Sequence, residues 1–218
     1  MSSPAASSGD HPRRIFSRFY AHISRRMEGE GMGALRTELL SPAAGEVVEI
    51  GPGNGLNFAH YPDAVTKVVA VEPEPHLRAL AADAAREVPT HAEVVPGTAG
   101  HLPLATASVD TAVLCLVLCG IEDQPGALSE IVRVLRPGAR LLFLEHTYAE
   151  TAGLLRVQRL ADATVWPLLT GGCRTSGDPV ATITSAGFEV TSCRRLRFPE
   201  DRFTQPSSPH VLGAARRR

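Results

Sequence analysis

Val48-Glu49-Ile50-Gly51-Pro52-Gly53-Asn54-Gly55 is a short apolar run that ends in a glycine at every second position. Glycine there permits a tight turn and lets a ligand approach the backbone closely. The spacing therefore predicts a strand over 46–50, a glycine loop, and a helix opened by that loop. A second apolar run, VVAV at 68–71, ends on Glu72, 21 residues beyond Gly51. That is about the distance at which an acid accepts both hydroxyls of a ribose.

A dinucleotide loop reads GxGxxG and turns a helix amino terminus toward a pyrophosphate. Here the third glycine comes one residue early, and Glu49 sits two residues before the first. An acid at that place repels a phosphate and attracts a cationic amine. Ribose and amine without phosphate describe S-adenosylmethionine, which is the expected cofactor, leaving as S-adenosylhomocysteine. Glu49, Gly51, Pro52, Gly53, Asn54, Gly55, Asn57 and Glu72 are its candidate contacts.

Outward from this loop, strands and helices alternate. Helices are expected over 76–88 and 125–135, and strands over 91–95, 109–118 and 140–145. The strands are continuously apolar, as in parallel sheets covered on both faces. An apolar helical stretch at 154–169, a glycine loop at 170–178 and a short helix at 179–186 precede two last strands, 188–194 and 210–215, of which the terminal one closes antiparallel. The expected fold is α/β: a Rossmann-like seven-stranded sheet, mostly parallel, with helices on both faces. Residues 1–12 read as a disordered tail and 13–218 as a single domain, with an amino-terminal cap helix over 13–40 carrying Ile15, Phe16, Phe19, Tyr20, Ile23 and Met27 at helical spacing.

Composition narrows the function. The 218 residues are 44% apolar and 21% charged, with 22 basic against 23 acidic side chains and Lys67 the one lysine. A balanced charge excludes the basic surface of a nucleic-acid binder. No segment reaches the roughly 20 apolar residues of a membrane span, and a small-molecule substrate, a cytoplasmic location and a monomer or homodimer are expected. Cys115, Cys119, Cys173 and Cys193 form no CxxC pair and show no ligand spacing, so reduced thiols and no metal are expected.

With these motifs in place the chain resembles the class I methyltransferases that use S-adenosylmethionine. EIGPGNG at 49–55 looks like their first motif and VEPEP at 71–75 like their second, which implies Pro73 beside the adenine. GTAGHLPLATASVD at 97–110 is similar to their adenine-side segment, with Thr98 where an aspartate is frequent and Ala99 giving a backbone contact; Leu116 is a further implied contact. LNFAHYP at 56–62, LVLCGIEDQPGALSEIVRVLRPG at 116–138, LEH at 144–146 and DATVWPLLTGGCRTSGD at 162–178 resemble the small alkyl-thiol methyltransferases of the methyltransferase-like seven type. More distant relatives methylate quinones and phospholipids.

The resemblance implies S-methylation of a lipophilic thiol, with O-, N- or C-methylation of a quinone, phenol or amine metabolite as the alternative and a non-catalytic cofactor-binding module as another. An acceptor from secondary metabolism fits the composition. His146, after the fifth strand, is the candidate base or polarising group, because the carboxyl ends of parallel strands face the ligand crevice; a histidine satisfied by a backbone carbonyl is the other reading. Tyr20, Cys119, Asp162, Trp166 and Cys173 are the candidate acceptor contacts, against the plainer readings of core packing for Trp166 and buried structural cysteine.

Overall fold

The computed structural model describes residues 10–200 and 204–218, without the side chains of 10–16 and 18. Residues 1–9 of the expected tail and the Ile15 and Phe16 side chains lie outside that description.

The strands are β1 (Gly45–Ile50), β2 (Val65–Val71), β3 (Ala92–Val95), β4 (Val109–Cys115), β5 (Leu135–His146), β6 (Phe188–Arg197) and β7 (Pro209–Arg217). They form a seven-stranded sheet in the order β3-β2-β1-β4-β5-β7-β6. The first five run parallel, and β7 is antiparallel to both β5 and β6. Strand order reverses between β1 and β4, the point at which open α/β sheets leave a ligand crevice at their carboxyl ends.

The helices are α1 (Asp10–Met27), α2 (Gly33–Leu40), α3 (Pro75–Arg86), α4 (Gln124–Val134), α5 (Ala152–Asp162), α6 (Trp166–Leu169) and α7 (Pro179–Ser185). Three of them start alike: Glu74, Asp123 and Asp178 accept the backbone N–H three residues on, and a proline lies in the first turn. The acid satisfies an orphan donor, and proline lacks the N–H that would be another.

The two-residue period of the strands sorts their side chains into two cores. Val48, Ala112, Leu114, Leu141 and Phe143 pack with Leu128, Ile131 and Val134 of α4 and Ile183 of α7. Their neighbours Val47, Val113, Cys115, Leu142 and Leu144 face the other way, onto Leu39 and Leu40 of α2, Phe58, Tyr61 and Ala81 of α3.

Three expectations need correction. The glycine loop opens onto a five-residue 3-10 turn, Leu56–His60, and not onto a full helix. Tyr61 precedes a proline, which disfavours helical backbone, and it is extended. The stretch at 154–169 is two helices: Thr164 turns its hydroxyl to the Leu160 and Ala161 carbonyls, and Pro167 has no N–H to continue the ladder. The helical stretch over 13–40 is broken by a wide turn, Glu28–Met32, with Gly31 at φ 112°.

Candidate functional site

The glycine loop is held from both sides. Gly51 donates to the Val71 carbonyl at 2.9 Å, which joins the ends of β1 and β2. Gly53 has φ +59°, and a Cβ there would lie 2.9 Å from the Tyr20 ring, so only glycine lets α1 lie on the loop. Tyr20, expected against the acceptor, is thus placed over the glycine loop, and burial pushes its phenol up to about 12.

Glu72 is buried at the end of β2, where Gly53 N donates to Oε2 at 3.1 Å and Glu74 N to Oε1 at 2.9 Å. Burial pushes its carboxyl up to about 7 against the pull of those two N–H groups. Each oxygen has one partner and keeps capacity for another, the arrangement that a pair of ribose hydroxyls requires.

Glu49 is placed deeper than its motif position suggested. Its oxygens accept from Asn57 Nδ2 at 2.7 Å and the Tyr61 hydroxyl at 2.8 Å. Burial raises its pKa, and Tyr61, Asn57 and Arg36 oppose the rise. Arg36 of α2, which the sequence did not single out, is buried beside this network. Its Nη1 donates to Asn57 Oδ1 at 2.6 Å and to Cys115 Sγ at 3.3 Å, and its Nε to Glu28 at 2.9 Å. A buried cation and a buried anion bridged by Asn57 suit the zwitterionic end of an amino acid.

Asn54 is satisfied on one side only. Its Oδ1 accepts from Ser24 at 3.3 Å, whereas its buried Nδ2 has no partner. An unpaired buried donor beside a glycine loop fits a ligand oxygen. Pro73 and Thr98 are exposed at the carboxyl ends of β2 and β3, and Ala99 packs against the core. Leu116, directly after β4, has φ +57°, a conformation that a branched side chain adopts only where its surroundings impose it.

The backbone that follows is held by Glu145, which the sequence also left unmarked. It is fully buried and accepts Val117 N and Leu118 N at 3.0 Å each, while Oε2 has no partner. Burial pushes its carboxyl up to about 7. Next to it, His146 lies against His210 with ring centroids 4.4 Å apart and the planes tilted by 42°. Burial, then His210, pull its pKa down to about 3, so the ring is neutral, and Nδ1 has no partner.

His146 and Cys119 line a cavity of about 160 Å³ closed by Leu118, Gln124 and residues of the 174–179 segment. Cys173 approaches Cys119 with a sulfur–sulfur distance of 2.9 Å, and Arg174 N donates to the Cys119 carbonyl. Three of the expected acceptor-side residues, His146, Cys119 and Cys173, are therefore brought together. Asp162 and Trp166 are not among the cavity walls. Asp162 is buried and accepts Thr175 N, Thr175 Oγ and Ser176 N, so it pins the 170–178 loop. Trp166 is half-buried, with its indole N–H unpartnered. Gln158, fully buried, links Thr147, Ala149, Thr175 and Pro206; nothing in a lone glutamine on an amphipathic helix announced that role.

Among the described residues no helix is long and apolar enough to cross a membrane. Residues 48–143 match a family described as methyltransferase domain. The chain is 32% identical over 185 residues to the human thiol S-methyltransferase TMT1B, covering 81% of this chain and 73% of that protein. It is 31% identical over 198 residues to the ubiquinone/menaquinone biosynthesis C-methyltransferase UbiE of Rubrivivax gelatinosus, covering 87% and 74%. The crystal structure of the [4+2]-cyclase SpnF superposes with a TM-score of 0.71 at 18% identity, over 98% of this chain and 97% of that one; at that identity the likeness is one of fold.

Proposed function

Since the chain belongs to the class I S-adenosylmethionine-dependent methyltransferases, we propose that it methylates a small lipophilic thiol on sulfur. When bound, S-adenosylmethionine supplies a methyl group on a sulfonium centre and leaves as S-adenosylhomocysteine. In this reading Glu72 accepts the ribose hydroxyls, Asn54 and the glycine backbone line the nucleoside, and Asn57, between Glu49 and Arg36, meets the amino-acid end. Leu116, Pro73, Thr98 and Ala99 surround the adenine side.

The observation that carries the acceptor is the acid–base character of the cavity. His146 is held neutral by burial and takes up a proton only near pH 3. The carboxylate in the wall, Asp178, caps α7 by accepting Ala181 N. An imidazole of such low basicity does not strip a proton from an alcohol or a phenol. A thiol with a pKa near 8.5 is a few per cent ionised at pH 7 without help, and its thiolate loses charge together with a cationic donor on reacting. What the chain then contributes is alignment, for which effective molarities of 10⁵ M or more, about 7 kcal/mol, are available. Identity to a thiol S-methyltransferase over most of the chain supports the same reading.

Identity to a quinone-pathway C-methyltransferase supports a second reading, methylation of a quinol carbon. Incubation with S-adenosylmethionine and matched thiols, phenols, amines and quinols, read by mass spectrometry, separates the two. Products from thiols alone are expected; products from quinols alone would replace the acceptor. His146→Ala is expected to lower turnover and leave cofactor affinity unchanged, and unchanged turnover at every pH would remove His146 from the acceptor site.

A further inference from the structure

Three soft or borderline donors from three separate elements meet at the acceptor cavity. Cys119 lies in the 3-10 turn Leu118–Gly120 after β4, His146 is the last residue of β5, and Cys173 is in the loop before α7. One ligand atom from each lies within 4.8 Å of the other two. Sequence spacing hides the group, because its members are 27 and 54 residues from Cys119 and only the sheet brings them together.

The surroundings are those of a ligand set. His146 shares a hydrogen bond with the Ser207 backbone, and Nδ1 is the ring nitrogen without a partner. A ring with one backbone contact and one buried nitrogen left without a partner is how ligating histidines are held. The loop carrying Cys173 is anchored by Asp162 on Thr175 and Ser176 and by Arg174 N on the Cys119 carbonyl. Both sulfurs are thus presented by fixed backbone.

We propose that Cys119, Cys173 and His146 bind one zinc ion through two thiolates and one imidazole, with a fourth position open to the cavity. Two sulfurs, one nitrogen and an open position make up a known zinc arrangement of the catalytic kind. Zinc–sulfur bonds of about 2.3 Å in a tetrahedral site separate the sulfurs by about 3.8 Å, so the 2.9 Å pair must part by under about 1 Å. Gly171 and Gly172, directly before Cys173, lie in the segment that has to yield. Binding displaces one proton from each cysteine to solvent and oxidises nothing. The open position takes the acceptor sulfur as a thiolate, its proton also going to solvent. That last step rests on the thiol reading above, whereas the ion site does not. With the ion in place, His146 reaches the acceptor through the metal and not by a direct hydrogen bond.

The full chain, reduced and stripped with a chelator, is titrated with Zn²⁺ alone, and bound metal is counted after desalting. One equivalent is expected. Cys119→Ser and Cys173→Ser should each weaken zinc at least about 100-fold, and Cys193→Ser, on the exposed face of β6, should not. Because a serine variant can fail to fold, Co²⁺ in the unmodified protein supplies an independent readout: a thiolate-to-metal charge-transfer band is expected, and its shift on adding a thiol would place the acceptor sulfur on the ion. No stoichiometric zinc in a protein whose thiols are free would overturn the site. So would recovery of Cys119 and Cys173 joined as a disulfide under reducing purification, or zinc retained by the double serine variant. Zinc held by both cysteines in a protein that methylates only quinols would uphold the ion site and overturn its occupancy by an acceptor thiolate.

Discussion

Two loops at the carboxyl ends of the strands are each pinned by a buried carboxylate that accepts backbone N–H groups. Glu72 holds the glycine loop through Gly53 and Glu74, and Asp162 holds the 170–178 loop through Thr175 and Ser176. The difference is in what remains. Asp162 accepts three hydrogen bonds from one short segment, two on Oδ1 and one on Oδ2. Glu72 accepts one on each oxygen, too few to offset burial, and its carboxyl is pushed up to about 7. An acid whose hydrogen bonds do not offset its burial has capacity for a ligand; one engaged three times by a single loop serves chiefly to hold it.

That contrast is sharpened first by a pair of alanine variants. Glu72→Ala should lower S-adenosylmethionine affinity about 100-fold by calorimetric titration, because two hydrogen bonds to a charged acceptor, each about 1.5 kcal/mol or more, are lost. Its melting temperature should fall less than that of Asp162→Ala, since the loss of partners for Gly53 N and Glu74 N is partly offset by removal of a poorly compensated buried acid. Asp162→Ala should do the opposite: two backbone donors and a hydroxyl lose their partner inside the protein, at about 2 to 3 kcal/mol in denaturant unfolding, with cofactor affinity within about twofold. Equal effects of the two variants on affinity would erase the distinction.

The two loops also differ in how far they could be read from sequence. The glycine loop is local: strand, glycines and Glu72 lie within 25 residues, 48–72, and periodicity and turn chemistry report on that range. The sheet followed from the same signals, and TMT1B and UbiE agree with the methyltransferase it implied. Where local signals competed, reading failed: Tyr61-Pro62 cut the expected helix to a 3-10 turn, and Thr164 and Pro167 split 154–169. The other loop is assembled over long range. Cys119 meets Cys173, Gln158 ties 147–149 to 175 and 206, and Arg36 reaches Asn57 and Cys115. None of these contacts has a spacing that a single sequence displays, so Asp162 was read as an acceptor contact and Arg36 and Gln158 were not read at all.

A smaller effect separates the loops by pH. With Glu72 at about 7 in the free protein, its ionised form, the better acceptor for hydroxyl donors, rises from a tenth to nine tenths between pH 6 and 8. Cofactor affinity should rise about tenfold across that window, and Glu72→Gln should flatten it. Stability runs the other way for this group: a folded pKa above the unfolded 4.5 stabilises below pH 4.5, and the contribution is lost as pH rises through 7. His146 and His210, lowered to about 3 and 4, stabilise above 6.5 and lose that contribution as pH falls through those values. Replacing both by asparagine should therefore reduce the loss of stability on going from pH 6.5 to 4, read as melting temperature.

The smallest expected effect concerns the surface beside the 170–178 loop. Val157, Leu160, Val165, Leu168 and Leu169 are exposed on α5, α6 and the link between them, with Leu168 at 79%. Most hydrophobic side chains this exposed contribute little to folding, so Leu160→Gln with Leu168→Gln should shift stability by no more than about 0.5 kcal/mol and leave cofactor affinity unchanged. If this surface guides lipophilic acceptors toward the cavity, the double variant should raise KM for a long-chain thiol about threefold and leave KM for a short polar thiol as it was. The ratio of the two is the informative quantity, because a general loss of packing would move both together. A marked drop in melting temperature would instead mean that these side chains are covered in solution, and the acceptor end of the molecule would then be built, like the glycine loop, around buried contacts.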